Sequence, residues 1–481
     1  MKKIQNYIDG KLISPLNEKY FDNYEPATGK VYSEIPDSDA SDIDLAVESG
    51  EKAFETWSNT SQEYRHDLLM KLAKLIEENH EKLSQAESRD NGKPISLARK
   101  VDIPRAATNF KFFASAITHF SAEAHEMDGQ DVFNFTLRRP IGVVGCISPW
   151  NLPLYLFTWK IAPALAAGNC VIAKPSEVTP MTAFLLSELA IEAGFPEGVL
   201  NIIHGYGHKV GDAITRHPDI KAISFTGGTE TGATIARTAA PMFKKLSLEL
   251  GGKNPNIIFA DCDWNEMMRT TLLSSFANQG QICLCGSRIF VEKSIYEKFK
   301  IEFVDKVSKL RVGDPLEEDS KMGALVSASH QEKVLSYISL AKEEGGRVLT
   351  GGNKVEVGGR CEGGYFLAPT VIEGLDYKCR TNQEEIFGPV VTITPFDHED
   401  EVLKMVNSTQ YGLSSTIWTQ DISRANRVAS KIQAGIVWIN CWMVRDLRIL
   451  FGGMKSSGVG REGGFESLKF FTEAKNVCVK W

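Results

Sequence analysis

From residue 141 onward the chain alternates short apolar runs with amphipathic stretches. Residues 141–147, 170–173 and 199–203 are apolar runs of strand length, whereas 154–167 and 181–193 repeat apolar side chains at helical spacing. The order strand, helix, strand, helix, strand predicts a parallel, doubly wound sheet. Residues 222–227, leading to a helix over 230–240, add a further unit, and helical segments over 42–57 and 62–89 are expected to cover the sheet. After Gly251-Gly252 the alternation restarts with a strand at 256–260 and a helix at 265–276, which marks a second α/β domain. Two pieces stand outside this pattern: residues 132–140, with alternating Phe133, Phe135 and Leu137, and the tail 470–481. Both read as isolated edge strands, a liability unless something pairs with them, and they are expected to meet in an oligomer interface.

Length and charge narrow the picture. At 481 residues the chain exceeds the size of one growing core, so two or three domains are expected. Hydrophobic and charged fractions of 43% and 24% are ordinary globular values. A net charge of −7 argues against a nucleic-acid footprint, and pairs such as Lys244-Lys245 read as solvated helix faces. The longest apolar runs fall far short of the roughly 18 residues a membrane helix needs. Met1-Lys2-Lys3 is followed by Asn6, Asp9 and Gly10 rather than by an apolar signal core, so a cytoplasmic location is expected. The nine cysteines are scattered and include no Cys-x-x-Cys pair, which suits reduced thiols, and no metal is expected.

The chemistry concentrates in three places. Phe276-Ala277-Asn278-Gln279-Gly280-Gln281-Ile282-Cys283 sets one cysteine behind a glycine-bearing turn, ahead of a run headed for a strand. Leu248-Glu249-Leu250-Gly251-Gly252-Lys253 holds a carboxylate at the end of an apolar run, and Pro149-Trp150-Asn151-Leu152-Pro153 offers an amide. With Arg288, these segments resemble the aldehyde dehydrogenase superfamily over nearly the whole chain. The resemblance implies that Cys283 adds to an aldehyde carbonyl, that the resulting thiohemiacetal yields hydride to NAD and leaves a thioester, and that Glu249 activates the water that hydrolyses it. Asn151 and the Cys283 backbone N–H would steady the developing oxyanion. A lone cysteine is usually a small buried hydrophobe, the reading kept for Cys146, Cys170, Cys262, Cys361, Cys379, Cys441 and Cys478. Cys285 points away from Cys283 if the segment is extended, and it could trap an oxidised Cys283 as a disulfide. Glu473 matches a family glutamate credited with relaying protons.

Gly205-Tyr206-Gly207-His208-Lys209-Val210-Gly211 looks like a dinucleotide fingerprint, but its spacing is off by one residue. The phosphate cradle is read instead as Phe225-Thr226-Gly227-Gly228-Thr229-Glu230-Thr231-Gly232, between strand and helix. By resemblance, Gly227, Gly228, Thr229, Gly232 and Trp150 hold the cofactor, and Lys174 and Glu177 bind the adenosine ribose. A carboxylate there repels a 2′-phosphate and favours NAD. Glu385 would take the nicotinamide ribose, and Phe387 would support the ring. The resemblance thus implies an α/β fold with a doubly wound, parallel-sheet cofactor domain (1–120 and 141–252), a second α/β catalytic domain (253–455) and small oligomerisation strands (121–140 and 462–481).

Substrate choice is sought where relatives differ. The stretch Asn440 to Arg448 brings charge, in Val444-Arg445-Asp446-Leu447-Arg448, to a place most relatives keep neutral or aromatic. Charge beside an aldehyde channel is costly unless the ligand carries the opposite sign. Arg105 falls on a helix position that lines the same tunnel in relatives, so Arg105 and Arg445 could fork onto a carboxylate. Both segments resemble the subgroup that oxidises 2-aminomuconic and 2-hydroxymuconic semialdehydes, although Ile449-Leu450 replaces an expected Thr-Pro. A structural pair between Arg445 and Asp446 is the competing reading. The small-molecule partner is therefore an aldehyde, and the protomer is expected to form a homodimer or homotetramer. Other readings are an oxidase of a fatty, betaine or succinic semialdehyde, or a non-catalytic protein on the same fold.

Overall fold

The computed structural model describes all 481 residues. Five strands lie parallel in the order Lys245–Glu249, Ile220–Thr226, Val143–Ile147, Cys170–Lys174, Leu200–Ile202. The strand sequence 143, 170, 200 runs one way from the first strand, and 220, 245 runs the other. This makes the doubly wound order and opens a crevice at the carboxyl ends. The helix Pro153–Ala166 is wholly buried and apolar but for Thr158 and Lys160, because it lies between this sheet and the helices Gln62–Glu78 and Ile103–Thr118.

Three features depart from the sequence expectation. The N-terminal region contributes strands as well as helices: Asn6–Ile8 and Lys11–Ile13 extend the first sheet, while Tyr20–Glu25 and Lys30–Pro36 pair in a small sheet of their own. Short strands whose partners lie far off in sequence, as Tyr7 opposite Ile202, leave little periodicity to read. The helix expected over 62–89 is two helices, Gln62–Glu78 and His80–Asn91, broken at Asn79, whose side-chain amide donates to the Leu75 carbonyl at 3.0 Å. The segments expected as isolated edges pair with each other within one chain, from Thr472 opposite Pro140 to Lys480 opposite Val132. Ala124–Met127 completes that arm, and the outer strand Thr472–Lys480 is largely exposed. The helix Gly464–Phe470 belongs elsewhere: Leu468 and Phe471 pack into the core of the first sheet.

The second sheet orders its strands Arg347–Thr350, Thr370–Glu373, Val390–Phe396, Arg288–Glu292, Pro255–Ile258, Ser414–Trp418, Ile436–Ile439, all parallel except the first. No helix is long and apolar enough to cross a membrane.

Candidate active site

Ile147, Lys174, Thr226 and Glu249 are the last residues of four neighbouring parallel strands. The chain turns away at each point, and a crevice of about 620 Å³ opens between the turns. Its wall contains Trp150, Lys174, Glu177, Gly227 and Gly228. Lys174 Nζ reaches Glu177 at 2.9 Å, and the other Glu177 oxygen accepts the Gly207 N–H at 3.0 Å. Glu177 is held below the usual carboxylate range by Lys174 and this N–H, although burial opposes them. Gly228 precedes the helix Thr229–Ala239, and a Cβ there would meet open space. Two of the expected cradle residues are not in the wall. A Cβ on Gly232 would stand 2.4 Å from Leu250 Cδ2, so this glycine serves close helix–strand packing, and the buried Thr229 hydroxyl also lies outside it. Conversely, the loop set aside for its spacing supplies Gly207, His208 and Gly211 to the wall.

A second cavity, about 240 Å³, continues the crevice through Trp150, Thr226, Gly227 and Gly228 and ends at Asn151, Cys283, Glu385 and Phe387. Glu385 is half-buried and accepts the Gly252 N–H at 2.8 Å. The Phe387 ring stands edge-on to Trp150 with centroids 5.2 Å apart. On the far side of Cys283 lies a small apolar pocket of about 20 Å³, lined by Tyr155, Trp159, Glu249, Arg445, Phe451 and Glu462 among others. Cys283 is in both walls, half-buried, between the dinucleotide-sized crevice and the apolar pocket.

The turn that carries it is strained. Asn278, Gln279 and Gly280 all have positive φ, at 50°, 57° and 70°, and a Cβ on Gly280 would lie 2.2 Å from the Gly388 carbonyl oxygen. Side chains fix it: Asn278 Nδ2 donates to the Asn151 carbonyl at 2.8 Å and Gln279 Nε2 to the Ala324 carbonyl at 2.8 Å. Residues 281–287 remain a turn rather than extended chain, with the Cys285 N–H on the Ile282 carbonyl at 2.9 Å. Alternation along a strand therefore does not explain Cys285, which is buried in one apolar cluster with Leu413, Trp438 and Trp442. The backbone N–H of Cys283 has no acceptor on the protein. Asn151 donates one amide hydrogen to the Gln281 carbonyl at 3.0 Å, which leaves the other for a ligand.

The loop that carries Asn151 is bolted from beneath by the end of one helix. Asn91 Nδ2 donates to the Trp150 carbonyl at 2.9 Å, Lys93 Nζ to the Asn151 carbonyl at 3.1 Å, and Glu87 accepts the Leu154 N–H at 3.3 Å. Lys93 pairs with Asp102 and lies 3.7 Å from Glu87, all three side chains being shut off from solvent. No sequence signal marked this network.

The electrostatics favour protonated groups. Burial, and then Glu385 and Glu249, push the Cys283 thiol up to about 12. Burial, and then Glu462, raise Glu249 well above the carboxylate range against the pull of Lys160, Arg461 and Arg445, and neither Glu249 oxygen has a protein partner. Glu462 rather than Glu473 is the second acid of the site. It accepts from Lys160 Nζ at 3.0 Å and from the Trp159 indole N–H at 2.7 Å, while Glu473 lies on the exposed arm, 3.2 Å from Lys245. Arg445 does not pair with Asp446, which is taken by Arg448 at 2.6 Å. Its guanidinium lies 3.9 Å from the centroid of Phe451 and 5.3 Å from that of Trp159, and it donates to the Tyr155 hydroxyl at 3.0 Å. Arg105 sits over the Tyr155 ring at 5.5 Å and is not itself in the pocket wall.

Residues 13–477 match the aldehyde dehydrogenase family. The chain is 52% identical over 479 residues to the 2-aminomuconic semialdehyde dehydrogenase of Danio rerio, covering 99% of this chain and 98% of that protein. It is 45% identical to the 2-hydroxymuconic semialdehyde dehydrogenase of Pseudomonas sp. (strain CF600), covering both chains fully. The NAD+ complex of an aldehyde dehydrogenase from Bacillus cereus superposes with a TM-score of 0.97 at 40% identity, over 100% of this chain and 97% of that one. A cysteine set between a dinucleotide-sized crevice and an apolar pocket thus occurs in a chain that belongs to the aldehyde dehydrogenase family.

Proposed function

We propose that this protein oxidises a short, carboxylate-bearing aldehyde to the corresponding acid with NAD, through Cys283. The observation that carries the reading is the position of Cys283 in the walls of both cavities, with Glu249 and Arg445 in the pocket on the aldehyde side. The crevice fits a dinucleotide: its long arm carries the Lys174–Glu177 pair for the adenosine ribose and the uncrowded Gly228 turn for phosphate, and its short arm carries Glu385 and Phe387. The negative Glu177 disfavours a 2′-phosphate. When bound, NAD supplies the acceptor for the aldehyde hydride.

The residues of the chain do the rest. Cys283 Sγ, once its proton has passed to solvent, bonds to the carbonyl carbon, and the oxyanion that forms as the C=O π bond opens accepts hydrogen bonds from the free amide hydrogen of Asn151 and the Cys283 backbone N–H. Loss of hydride leaves an acyl thioester on Sγ. Glu249, with both oxygens available, takes a proton from water, whose oxygen attacks the thioester and releases the acid and the thiol. The Glu462–Lys160 pair behind Glu249 offers that proton a further acceptor.

Arg445 supports the carboxylate on the substrate. It is half-buried among aromatic rings with no acidic partner within 4.0 Å, so an anionic ligand is its natural counter-ion. The same charge argues against a cationic aldehyde such as betaine aldehyde. The relatives named for 2-aminomuconic and 2-hydroxymuconic semialdehydes fit this chemistry. Kinetics with 2-hydroxymuconic semialdehyde and neutral 2,4-hexadienal test it: Arg445→Ala is expected to weaken transition-state binding of the first by about 2 to 5 kcal/mol and to spare the second. Equal losses on both would remove the anion from the reading. The arm of residues 124–140 and 472–480 belongs in this proposal to a homo-oligomer, dimer or tetramer, working in the cytoplasm, with domain limits near residues 120, 141, 253 and 462.

A further inference from the structure

Tyr155 lies one helical turn beyond Asn151, in the wall of the apolar pocket, and is 2% exposed. Its backbone is tied to a neighbouring helix: the Asn109 amide donates to the Tyr155 carbonyl at 3.0 Å and to the Thr158 hydroxyl at 3.1 Å. Two guanidiniums converge on this one ring. Arg445 Nη1 donates to the phenol oxygen at 3.0 Å, and Arg105 stands over the ring face at 5.5 Å. Neither guanidinium makes an ion pair with a carboxylate on the protein: Glu249, in the same pocket, acts on Arg445 only at longer range, and Asp446, its neighbour in sequence, is claimed by Arg448.

A phenol has one hydrogen to give and two lone pairs to receive. With one lone pair taken by Arg445 Nη1, a cation beside the oxygen and another over the ring, the electrostatics turn the remaining O–H toward an anion. No acceptor on the protein takes that hydrogen, although the side chain is almost fully buried. Such a donor is costly to leave unmatched. The pocket onto which it opens is the one that reaches Cys283.

We propose that Tyr155 is a specificity residue for the carboxylated substrate: its O–H donates to the carboxylate while its oxygen fixes the Arg445 fork. This rests on the reading of Arg445 as an anion contact, and it adds a donor that touches the ligand directly. A neutral aldehyde of the same length would gain nothing from the phenol. The contact is made in the Michaelis complex and persists through the reaction, so its removal should raise KM and leave kcat nearly unchanged.

The test compares Tyr155→Phe, Arg445→Ala and the parent enzyme on 2-hydroxymuconic semialdehyde and on 2,4-hexadienal, with the melting temperature of each. Tyr155→Phe keeps the ring and deletes only the oxygen. The expected result is a roughly ten- to hundredfold fall in kcat/KM for the carboxylated substrate, carried by KM, with 2,4-hexadienal changed by less than about threefold. If Arg445→Ala loses the carboxylated substrate selectively while Tyr155→Phe does not, the phenol has no such role and the wider reading stands. If neither variant discriminates between the two aldehydes, the anion site itself is wrong. A parallel loss on both substrates by Tyr155→Phe with an unchanged melting temperature would overturn the specificity role and leave a packing one.

Discussion

At the scale of single residues, the surroundings of Cys283, the proposed nucleophile, hold it as a thiol. Burial and two carboxylates raise Cys283 to about 12, so the thiolate fraction grows with pH throughout the accessible range. Iodoacetamide inactivation of the free enzyme is therefore expected to accelerate about tenfold per pH unit between about pH 7 and 10 without levelling off. A plateau below about pH 8 would mean that the thiol is ionised by a partner absent from this account. In the proposed mechanism Glu249 has the opposite duty and a matching sign. A carboxyl raised by burial and by Glu462 must lose its proton before it can accept one from water, so deacylation should quicken as pH rises through its elevated pKa. Single-turnover hydrolysis of the acyl enzyme, followed against pH, should show that limb.

At the scale of elements, the same site depends on two pieces of backbone. Gly280 completes three successive positive-φ residues with no room for a Cβ. Gly280→Ala is expected to lower stability by at least about 1 to 3 kcal/mol and to cost more in kcat than in NAD affinity, by thermal unfolding and NAD titration. Lys93→Met would strand Glu87 and Asp102 without their shared cation, a loss of about 3 to 5 kcal/mol for a broken buried pair. If the network positions Asn151, kcat should fall while NAD affinity holds. Sequence could expose the first of these and not the second. The Asn278-to-Cys283 turn is local, so its residues lie side by side on paper. Lys93 and Asn151 lie 58 positions apart, Lys160 and Glu462 302 apart, and only the fold makes them neighbours. For the same reason Glu473 drew attention in place of Glu462, and the short N-terminal strands escaped notice where the long amphipathic helices did not. The Gly205-to-Gly211 loop shows the converse: its motif spacing was wrong for a fingerprint, yet its place after a strand puts it in the crevice wall.

At the scale of the whole molecule, two α/β sheets present opposite sides of one reaction. The carboxyl ends of the first sheet supply Glu249 and much of the crevice, and the second contributes the cysteine turn ahead of Arg288–Glu292 and the Glu385 loop ahead of Val390–Phe396. The arm stands apart, nine paired residues with an exposed outer strand. If the arm builds the proposed oligomer, truncation after Phe471 reduces the particle mass by light scattering, and an unchanged mass would contradict that role for the arm. The proposed mechanism turns on one covalent event, which can be caught directly. Glu249→Gln, quenched within one turnover of 2-hydroxymuconic semialdehyde and NAD and digested for tandem mass spectrometry, isolates the step before water enters. The expected result is a burst of one NADH per active site together with the acyl mass on Cys283. NADH formation that continues with Cys283 unmodified, or an acyl group on another cysteine, would contradict it.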